Sequence, residues 1–229
     1  MANEQNKINK GAGDRANVSQ AVIRRLPRYF RYLRELIRQG KMRVSSGELS
    51  AMMNVTASQI RLDLNCFGGF GQQGYGYNVN YLYARICELL GVSAGLRAMI
   101  VGAGDLGRAL VRSPMFEKRG VDIVAMFDID PALIGKTVGG VKIRDMRELE
   151  QFCAEIPVDM AVLTVPKESV EAVSDRVVAC GVRGFWNFTA KELSFPSHPE
   201  VIVENVHLGD SLMILNYKLC SSASAEDEE

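Results

Sequence analysis

The stretch Arg97-Ala-Met-Ile-Val-Gly102-Ala-Gly104-Asp-Leu-Gly107-Arg-Ala-Leu110 decides the fold. An apolar run, Ala98 to Val101, predicts a strand; the glycines open a turn, and Leu106, Ala109 and Leu110 carry a helical pattern. A second apolar run, Val121-Asp-Ile-Val-Ala-Met-Phe127, predicts the next strand and ends on Asp128. Strand, glycine turn, helix and acid-tipped strand is the order that a dinucleotide site requires. Gly102 allows a tight turn, Gly104 lets a pyrophosphate approach the backbone at Ala103 and Gly104, and Gly107 lets the helix pack closely on the strand. Phosphates then meet free N–H groups at a helix N-terminus. Asp128 falls where a carboxylate binds the adenosine ribose hydroxyls. Ile129 and Asp130 follow it with no nearby Arg to accept a 2′-phosphate, which favours NAD+/NADH over NADP(H).

Downstream, the pattern keeps alternating. Pro131 and Gly135 mark a turn, Val138-Gly-Gly-Val141-Lys-Ile143 a small hairpin, and Met146 to Glu155 a helix. Asp159 to Pro166 reads as a buried strand, Glu168 to Cys180 as a helix, Gly184 to Phe188 and Val201 to Glu204 as strands. The class is therefore α/β with a parallel sheet. Ligands of such sheets bind beyond the carboxyl ends of the strands, so Thr164-Val165-Pro166 and Asn187-Phe188 are candidates for the nicotinamide side. Against this, Trp186 reads as core, and Asn187 suits holding its own turn. Leu208, Leu212, Leu215 and Leu219, with Met213, Ile214 and Tyr217, make a helix over 206–220 that is apolar around much of its circumference. Such a helix calls for burial against a second subunit. Residues 221–229 read as a disordered acidic tail.

Upstream, residues 1–16 are polar and aperiodic and read as a mobile arm. From Ser19, Val22, Leu26, Phe30, Leu33 and Ile37 form a helical stripe, which Pro27 kinks or restarts. Arg24, Arg28, Arg31, Arg34 and Arg38 recur on another face with only Glu35 to balance them. That arrangement favours phosphate contact over a merely solvated face. Ser45 with Glu48 and Thr56 with Gln59 predict two capping boxes, each opening a short helix. Two short helices joined by a tight turn, with Ser58, Gln59 and Arg61 early in the second, is the layout of a helix-turn-helix reader of DNA. Gly68 to Tyr77 interleaves glycine with aromatics and amides, including Gln73, and reads as the hairpin of a wing. Val79, Leu82, Tyr83, Ile86, Leu89 and Leu90 form a further helical stripe up to Gly91, and 92–96 a short linker.

The whole chain is formally neutral, but residues 1–85 hold 13 Lys or Arg against 5 Asp or Glu, and the remainder holds 14 against 22. A basic front piece on an acidic rear piece points to a polyanion partner for the front only. No run of eighteen apolar residues occurs and the N-terminus is too polar for a signal peptide, which predicts a cytoplasmic protein with no membrane span. The 5 cysteines are widely spaced and form no C-x-x-C pair, so they read as reduced core thiols. With 2 histidines, neither near a cysteine, no metal site is expected.

Taken together, Ser46-Gly-Glu-Leu, Gln59-Ile-Arg-Leu-Asp-Leu64, Phe67-Gly-Gly-Phe-Gly71, Gly74-Tyr-Gly-Tyr77, Val101-Gly-Ala-Gly-Asp-Leu-Gly107, Phe127-Asp-Ile-Asp-Pro131, Leu163-Thr-Val-Pro166 and Asn187-Phe188 resemble the Rex family of bacterial redox-sensing repressors. The resemblance runs from about Val18 to Leu219. It implies a winged helix-turn-helix domain (17–91) joined to a Rossmann-type NAD(H)-binding domain (97–205). A C-terminal dimerisation helix (206–220) would be exchanged between the subunits of a homodimer. It further implies a palindromic double-stranded DNA operator, held with NAD+ and released with NADH. By motif, Gly102, Gly104, Asp105, Leu106, Gly107, Asp128, Thr164, Val165 and Pro166 would contact the cofactor, with Ala103 and Ile129 beside them and Asn187 and Phe188 toward the nicotinamide. Arg25, Ser58, Gln59 and Arg61 would contact DNA, and Arg31 would sit at the interface between the two domains. Leu62 and Gln73 stand where members can carry cations, and His207 where some carry an acid that would pair with Arg31. Fewer cations flatten the salt dependence of DNA binding, and an imidazole at the switch makes it pH-sensitive.

An apolar pocket around Phe188 and Leu208 would favour the neutral reduced ring, since burying the charged one costs desolvation. Two rival readings remain. One is an NAD-dependent dehydrogenase with a fused DNA-binding domain, disfavoured by the lack of a Tyr-x-x-x-Lys pair and by His207 being the only histidine placed near the site. The other is a repressor with a different nucleotide effector, such as coenzyme A.

Overall fold

The computed structural model describes residues 18–67, 71–72 and 75–226. The chain divides into two units, Met1–Ser93 and Ala94–Glu229. The expected mobile arm and Gln73 lie outside the described residues.

In the first unit the Ser19 hydroxyl caps α1 (Gln20–Ile23). The helical stripe does not run on unbroken. It restarts after Arg24 and Arg25 as α2 (Leu26–Arg38), with Pro27 in the first turn, where a missing N–H costs nothing. Next come β1 (Arg43–Val44), α3 (Ser46–Met53), α4 (Ala57–Asn65), β2 (Gly71–Gln72), β3 (Gly76–Asn78) and α5 (Val79–Leu90). The three strands form an antiparallel sheet in the order β1-β3-β2, and β2 with β3 is the described part of the wing. At Gly76, with φ +69°, a Cβ would lie 2.7 Å from the Val44 carbonyl oxygen, so glycine is what lets β3 close on β1. Tyr29, Leu33, Leu49, Met53, Ile60, Leu64, Leu82 and Ile86 are buried together as the core of this unit.

The two capping boxes turn out unequal. Ser45 and Glu48 cap α3 reciprocally: the Glu48 N–H donates to Ser45 Oγ at 3.1 Å, and the Ser45 N–H donates to Glu48 Oε2 at 2.8 Å. At α4 only half of the box forms. The Gln59 N–H donates to Thr56 Oγ1 at 3.1 Å, but the Gln59 amide turns away to Asp63. A reciprocal box would have the Gln59 carbonyl oxygen accept from the Thr56 N–H; instead the side chain is held by its Nε2, which donates to the buried, charged Asp63 carboxylate.

The second unit is a seven-stranded sheet in the order β10-β9-β8-β4-β5-β7-β6. Its elements are β4 (Leu96–Val101), α6 (Asp105–Arg112), β5 (Val121–Asp128), β6 (Thr137–Val138), β7 (Val141–Asp145), α7 (Leu149–Glu155), β8 (Met160–Leu163), α8 (Val170–Ala179), β9 (Gly184–Asn187), β10 (Ile202–Asn205) and α9 (Leu208–Glu226). Every pairing is parallel except β6 with β7, the hairpin expected at Val138 to Ile143. Its second strand also joins the main sheet through β5. Met99 and Val101 pack on one face of the sheet with Phe127, Leu163 and the α7 and α8 side chains, whereas Ile100 packs on the other with Val111, Phe116 and Met126. A strand covered on both faces reads as a continuous apolar run, which is why Ala98 to Val101 shows no alternation. Truncating one of these side chains, as in Leu163→Ala, costs about 2–5 kcal/mol.

Two expectations are corrected. The last helix continues to Glu226, six residues beyond Cys220, and takes in most of the segment read as a disordered tail. No Gly or Pro follows Cys220 to stop it, and Ala and Glu are good helix formers. Of the cysteines read as core thiols, Cys66 and Cys220 are exposed, and the other three are half-buried. Cys66 sits just past the C-terminus of α4, beyond the turns that face the core.

Candidate functional site

The chain leaves β4 toward β5 and β7 on one side of it and returns to β8 on the other. Adjacent connections therefore diverge at the carboxyl end of β4, where open α/β sheets bind ligands. A cleft of about 410 Å³ opens there, lined by Val101, Gly102, Gly104, Phe127, Asp128, Ile129, Met146, Thr164, Val165, Pro166, Ser169 and Val173.

The glycine turn is fixed from both neighbouring strands. The Gly102 N–H donates to the Phe127 carbonyl at 2.8 Å, and Thr164 Oγ1 donates to the Gly102 carbonyl at 2.8 Å. Gly102 has φ +99°, and a Cβ on it would lie 2.7 Å from the Thr164 carbonyl oxygen, so only glycine fits. A Cβ on Gly107 would collide with the Gly102 carbonyl oxygen, so α6 packs directly on the turn. Gly104 differs: a Cβ there would meet nothing within 4 Å, which leaves the backbone approachable from the cleft. Gly104 also caps α6 without any side-chain hydrogen bond, so the first N–H groups of the helix are left for an anion. Arg108 braces the turn, donating to the Ala103 carbonyl at 3.0 Å and to Asp105 Oδ1 at 2.6 Å.

Asp128 ends β5 and closes the cleft. Its Oδ2 accepts from the Ala103 N–H at 2.5 Å, and its Oδ1 accepts from the Ile129 and Asp130 N–H groups at 2.7 and 2.9 Å. A carboxylate offers about four acceptor positions, so it keeps room for a hydroxyl. Thr164, Val165 and Pro166 form the opposite lip. Leu106 follows in α6 and is half-buried.

Asn187, Phe188 and Leu208 are not brought to this cleft. Asn187 is fully buried and its amide is occupied: Nδ2 donates to the Lys191 carbonyl at 2.6 Å and to Asn205 Oδ1 at 2.8 Å, and Oδ1 accepts from the Thr189 N–H and hydroxyl. Its side chain holds the turn after β9, as the plainer reading had it. Phe188 packs edge-on against Trp186 with ring centroids 4.6 Å apart. Leu208 is 62% exposed at the start of α9. His207 Nε2 lies 3.6 Å from Glu192. Conversely, Met146, Ser169 and Val173 line the cleft and were missed. Ser169 could have been found as the residue preceding the helix after Pro166.

In the first unit two of the candidate DNA-reading residues, Arg25 and Gln59, converge on Asp63, one helical turn after Gln59 in α4. Asp63 is fully buried. Its carboxylate accepts from Arg25 Nε at 2.6 Å and Arg25 Nη2 at 2.7 Å, from Gln59 Nε2 at 2.7 Å and from the Tyr29 hydroxyl at 3.0 Å. Burial alone would raise this carboxyl's pKa, but the hydrogen bonds from Arg25, Gln59 and Tyr29 outweigh it and hold the group below the usual carboxylate range. Burial also pushes the Tyr29 phenol up. Arg61 is exposed and spans the two short helices, donating to Ser58 Oγ at 3.0 Å and to Ser46 Oγ at 3.2 Å. Leu62 is exposed beside it, and Arg31 is exposed on α2. Asp63 escaped sequence reading because a lone acid in a short helix looks like part of a solvated face.

Two protein-family models match the chain: a putative DNA-binding protein N-terminus over residues 17–65 and a CoA binding domain over residues 95–191. Among curated relatives, the redox-sensing transcriptional repressor Rex of Caldicellulosiruptor saccharolyticus is 49% identical over 203 residues, covering 89% of this chain and 92% of the relative. The chain belongs to the Rex family. The Rex of Clostridium beijerinckii is 48% identical over 208 residues, 91% of this chain and 98% of that protein. Rex-family crystal structures share the fold. RSP in complex with beta-NAD+ and operator DNA matches with a TM-score of 0.85 at 46% identity, covering 92% of this chain and 96% of that one. RSP in complex with beta-NADH matches with a TM-score of 0.84 at 42% identity, covering 93% and 100%. Among the described residues no helix is long and apolar enough to cross a membrane.

Proposed function

We propose that this Rex-family protein is a cytoplasmic, homodimeric repressor that holds a palindromic operator and releases it when NADH occupies the cleft. The observation that carries the cofactor half is the pairing of an open Gly104 backbone with Asp128 across one cleft. The first suits a pyrophosphate and the second a ribose diol. Gly102, Ala103, Gly104, Asp105, Leu106 and Gly107 form the phosphate turn, Asp128 and Ile129 the ribose side, and Thr164, Val165 and Pro166 the opposite lip. Phe188 lies toward the nicotinamide, on the turn that Asn187 holds. Arg25, Ser58, Gln59, Arg61 and Gln73 contact DNA, and Arg31 and His207 belong to the switch. The relatives whose structures hold NAD+ with operator DNA, and NADH, support this assignment.

Sensing here is a population shift, in which NADH favours a DNA-incompetent arrangement. A complete switch asks one state to bind the ligand about 10⁴-fold better than the other. Turnover is not part of this reading: the curated relatives are transcriptional repressors. Coenzyme A, for which one family model is named, carries a phosphate on its ribose, and Asp128 would repel it.

The test is selection from a pool of short random duplexes at fixed salt, with no cofactor, with NAD+ and with NADH. A palindrome retained with NAD+ and released by NADH is expected. Equal retention in all three conditions overturns the effector, and no enrichment overturns the DNA-reading role.

A further inference from the structure

We infer that Asp63 determines which base Gln59 reads, by fixing the direction in which the Gln59 amide points. The inference rests on the proposal that α4 enters a DNA groove.

The argument is one of donors and acceptors. An ionised carboxylate only accepts, so the amide group facing it has to be Nε2 and not Oε1. The contact is short, at 2.7 Å, and Asp63 has no solvent exposure through which water could compete. Two of the five N–H groups of Arg25 and the Tyr29 hydroxyl complete the carboxylate's shell, so Asp63 itself has little freedom to turn. Gln59 is then left with one amide N–H and with Oε1. Among the described residues, no hydrogen bond to Oε1 is present. One donor beside one acceptor in a plane is the complement of adenine's N7 and N6 amino group in the major groove. Were the amide free to turn, one orientation would have to be selected at each binding event, and the preference would be weaker. The same carboxylate sets the plane of the Arg25 guanidinium and leaves three of its N–H groups for phosphate or base. Asp63 touches no DNA in this account; it is a positioning residue whose effect appears as specificity.

The test compares wild type, Gln59→Ala, Asp63→Asn and the double variant on the selected operator and its single-base variants, at several salt concentrations. Gln59→Ala should lower discrimination at one A·T pair per half-site by about ten- to a hundredfold. Asp63→Asn should lower discrimination at the same pair, and the double variant should lose no more than Gln59→Ala alone. The slope of log affinity against log salt should stay the same for Gln59→Ala, which removes no phosphate contact. A merely structural role would instead weaken binding to all duplexes alike and leave their ranking intact. If Asp63→Asn does not fold, the wild-type protein decides on operators carrying 7-deazaadenine or purine at that position: each should bind as poorly as the mismatched base. Full binding of both analogues overturns the inference. So does an Asp63→Asn protein that folds and keeps its preference, or a Gln59-dependent pair that is G·C. No enrichment by the wild type would refute the DNA-reading role and this inference with it, whereas enrichment insensitive to Asp63 refutes the inference alone.

Discussion

A Cβ built on Gly107 would lie 2.1 Å from the carbonyl oxygen of Gly102, so the third glycine of the turn is packed against the first. Gly104, between them, touches nothing that a methyl group would meet. Substitution should separate the two roles. Gly107→Ala must push α6 off the turn and is expected to cost about 1–3 kcal/mol as well as NADH binding. Gly104→Ala, at an ordinary φ of −65°, should leave thermal unfolding unchanged and lower NADH affinity at least about tenfold, by blocking close approach of the pyrophosphate. Calorimetry of both variants beside an NADH titration checks this; equal stability losses would refute it.

Asp128 holds three backbone N–H groups while facing the cleft. Asp128→Ala leaves them without an acceptor, with an expected stability loss of about 1–3 kcal/mol. It also removes the charge that excludes a 2′-phosphate. NADH should bind more weakly and the gap between NADH and NADPH should narrow, as read by nicotinamide fluorescence. A variant that keeps the full preference for NADH would show that the carboxylate does not face the ribose.

Phe188 is half-buried against Trp186 and outside the described cleft. Phe188→Ala is expected to blunt release of DNA by NADH while sparing DNA binding without cofactor. Unchanged release would move the nicotinamide pocket elsewhere.

Glu48 couples the helix-turn-helix to acid. Its hydrogen bond from Lys41, together with the Ser45 N–H, lowers its pKa from 4.5 to about 2. Folded protein thus binds this proton more weakly than unfolded chain does. The contribution to stability is complete above about 4.5 and disappears as pH falls through about 2. Glu48→Gln should flatten that part of the stability profile measured by denaturant unfolding and lower stability at neutral pH, where the carboxylate's contribution is fully present. An unaltered acid limb would refute the assignment.

What the sequence disclosed was local. The spacing of Gly102, Gly104, Gly107 and Asp128 carries its own geometry, and the alternation of apolar runs with helical patterns yields the parallel sheet. Contacts between distant segments left no such trace. Thr164 sits 62 residues from the Gly102 carbonyl to which it donates, and nothing near Thr164 announces it. Gln59 matched a capping box by spacing, yet its amide answers to a buried acid that spacing does not reveal. Asn187 stood at the right end of the right strand, but a strand's end also needs its own turn held, and that need took its amide.

The length of α9 makes the protein's own concentration a variable of sensing. Leu212 and Leu215 are 58% and 51% exposed on a helix that reaches Glu226, and an apolar strip of that kind marks an association surface. If the species that grips the operator must first assemble from two chains, then under dilute conditions its amount follows the square of chain concentration. Halving synthesis would cut it about fourfold. Repression would then report how much of the sensor a cell has made, along with the state of its nicotinamide pool.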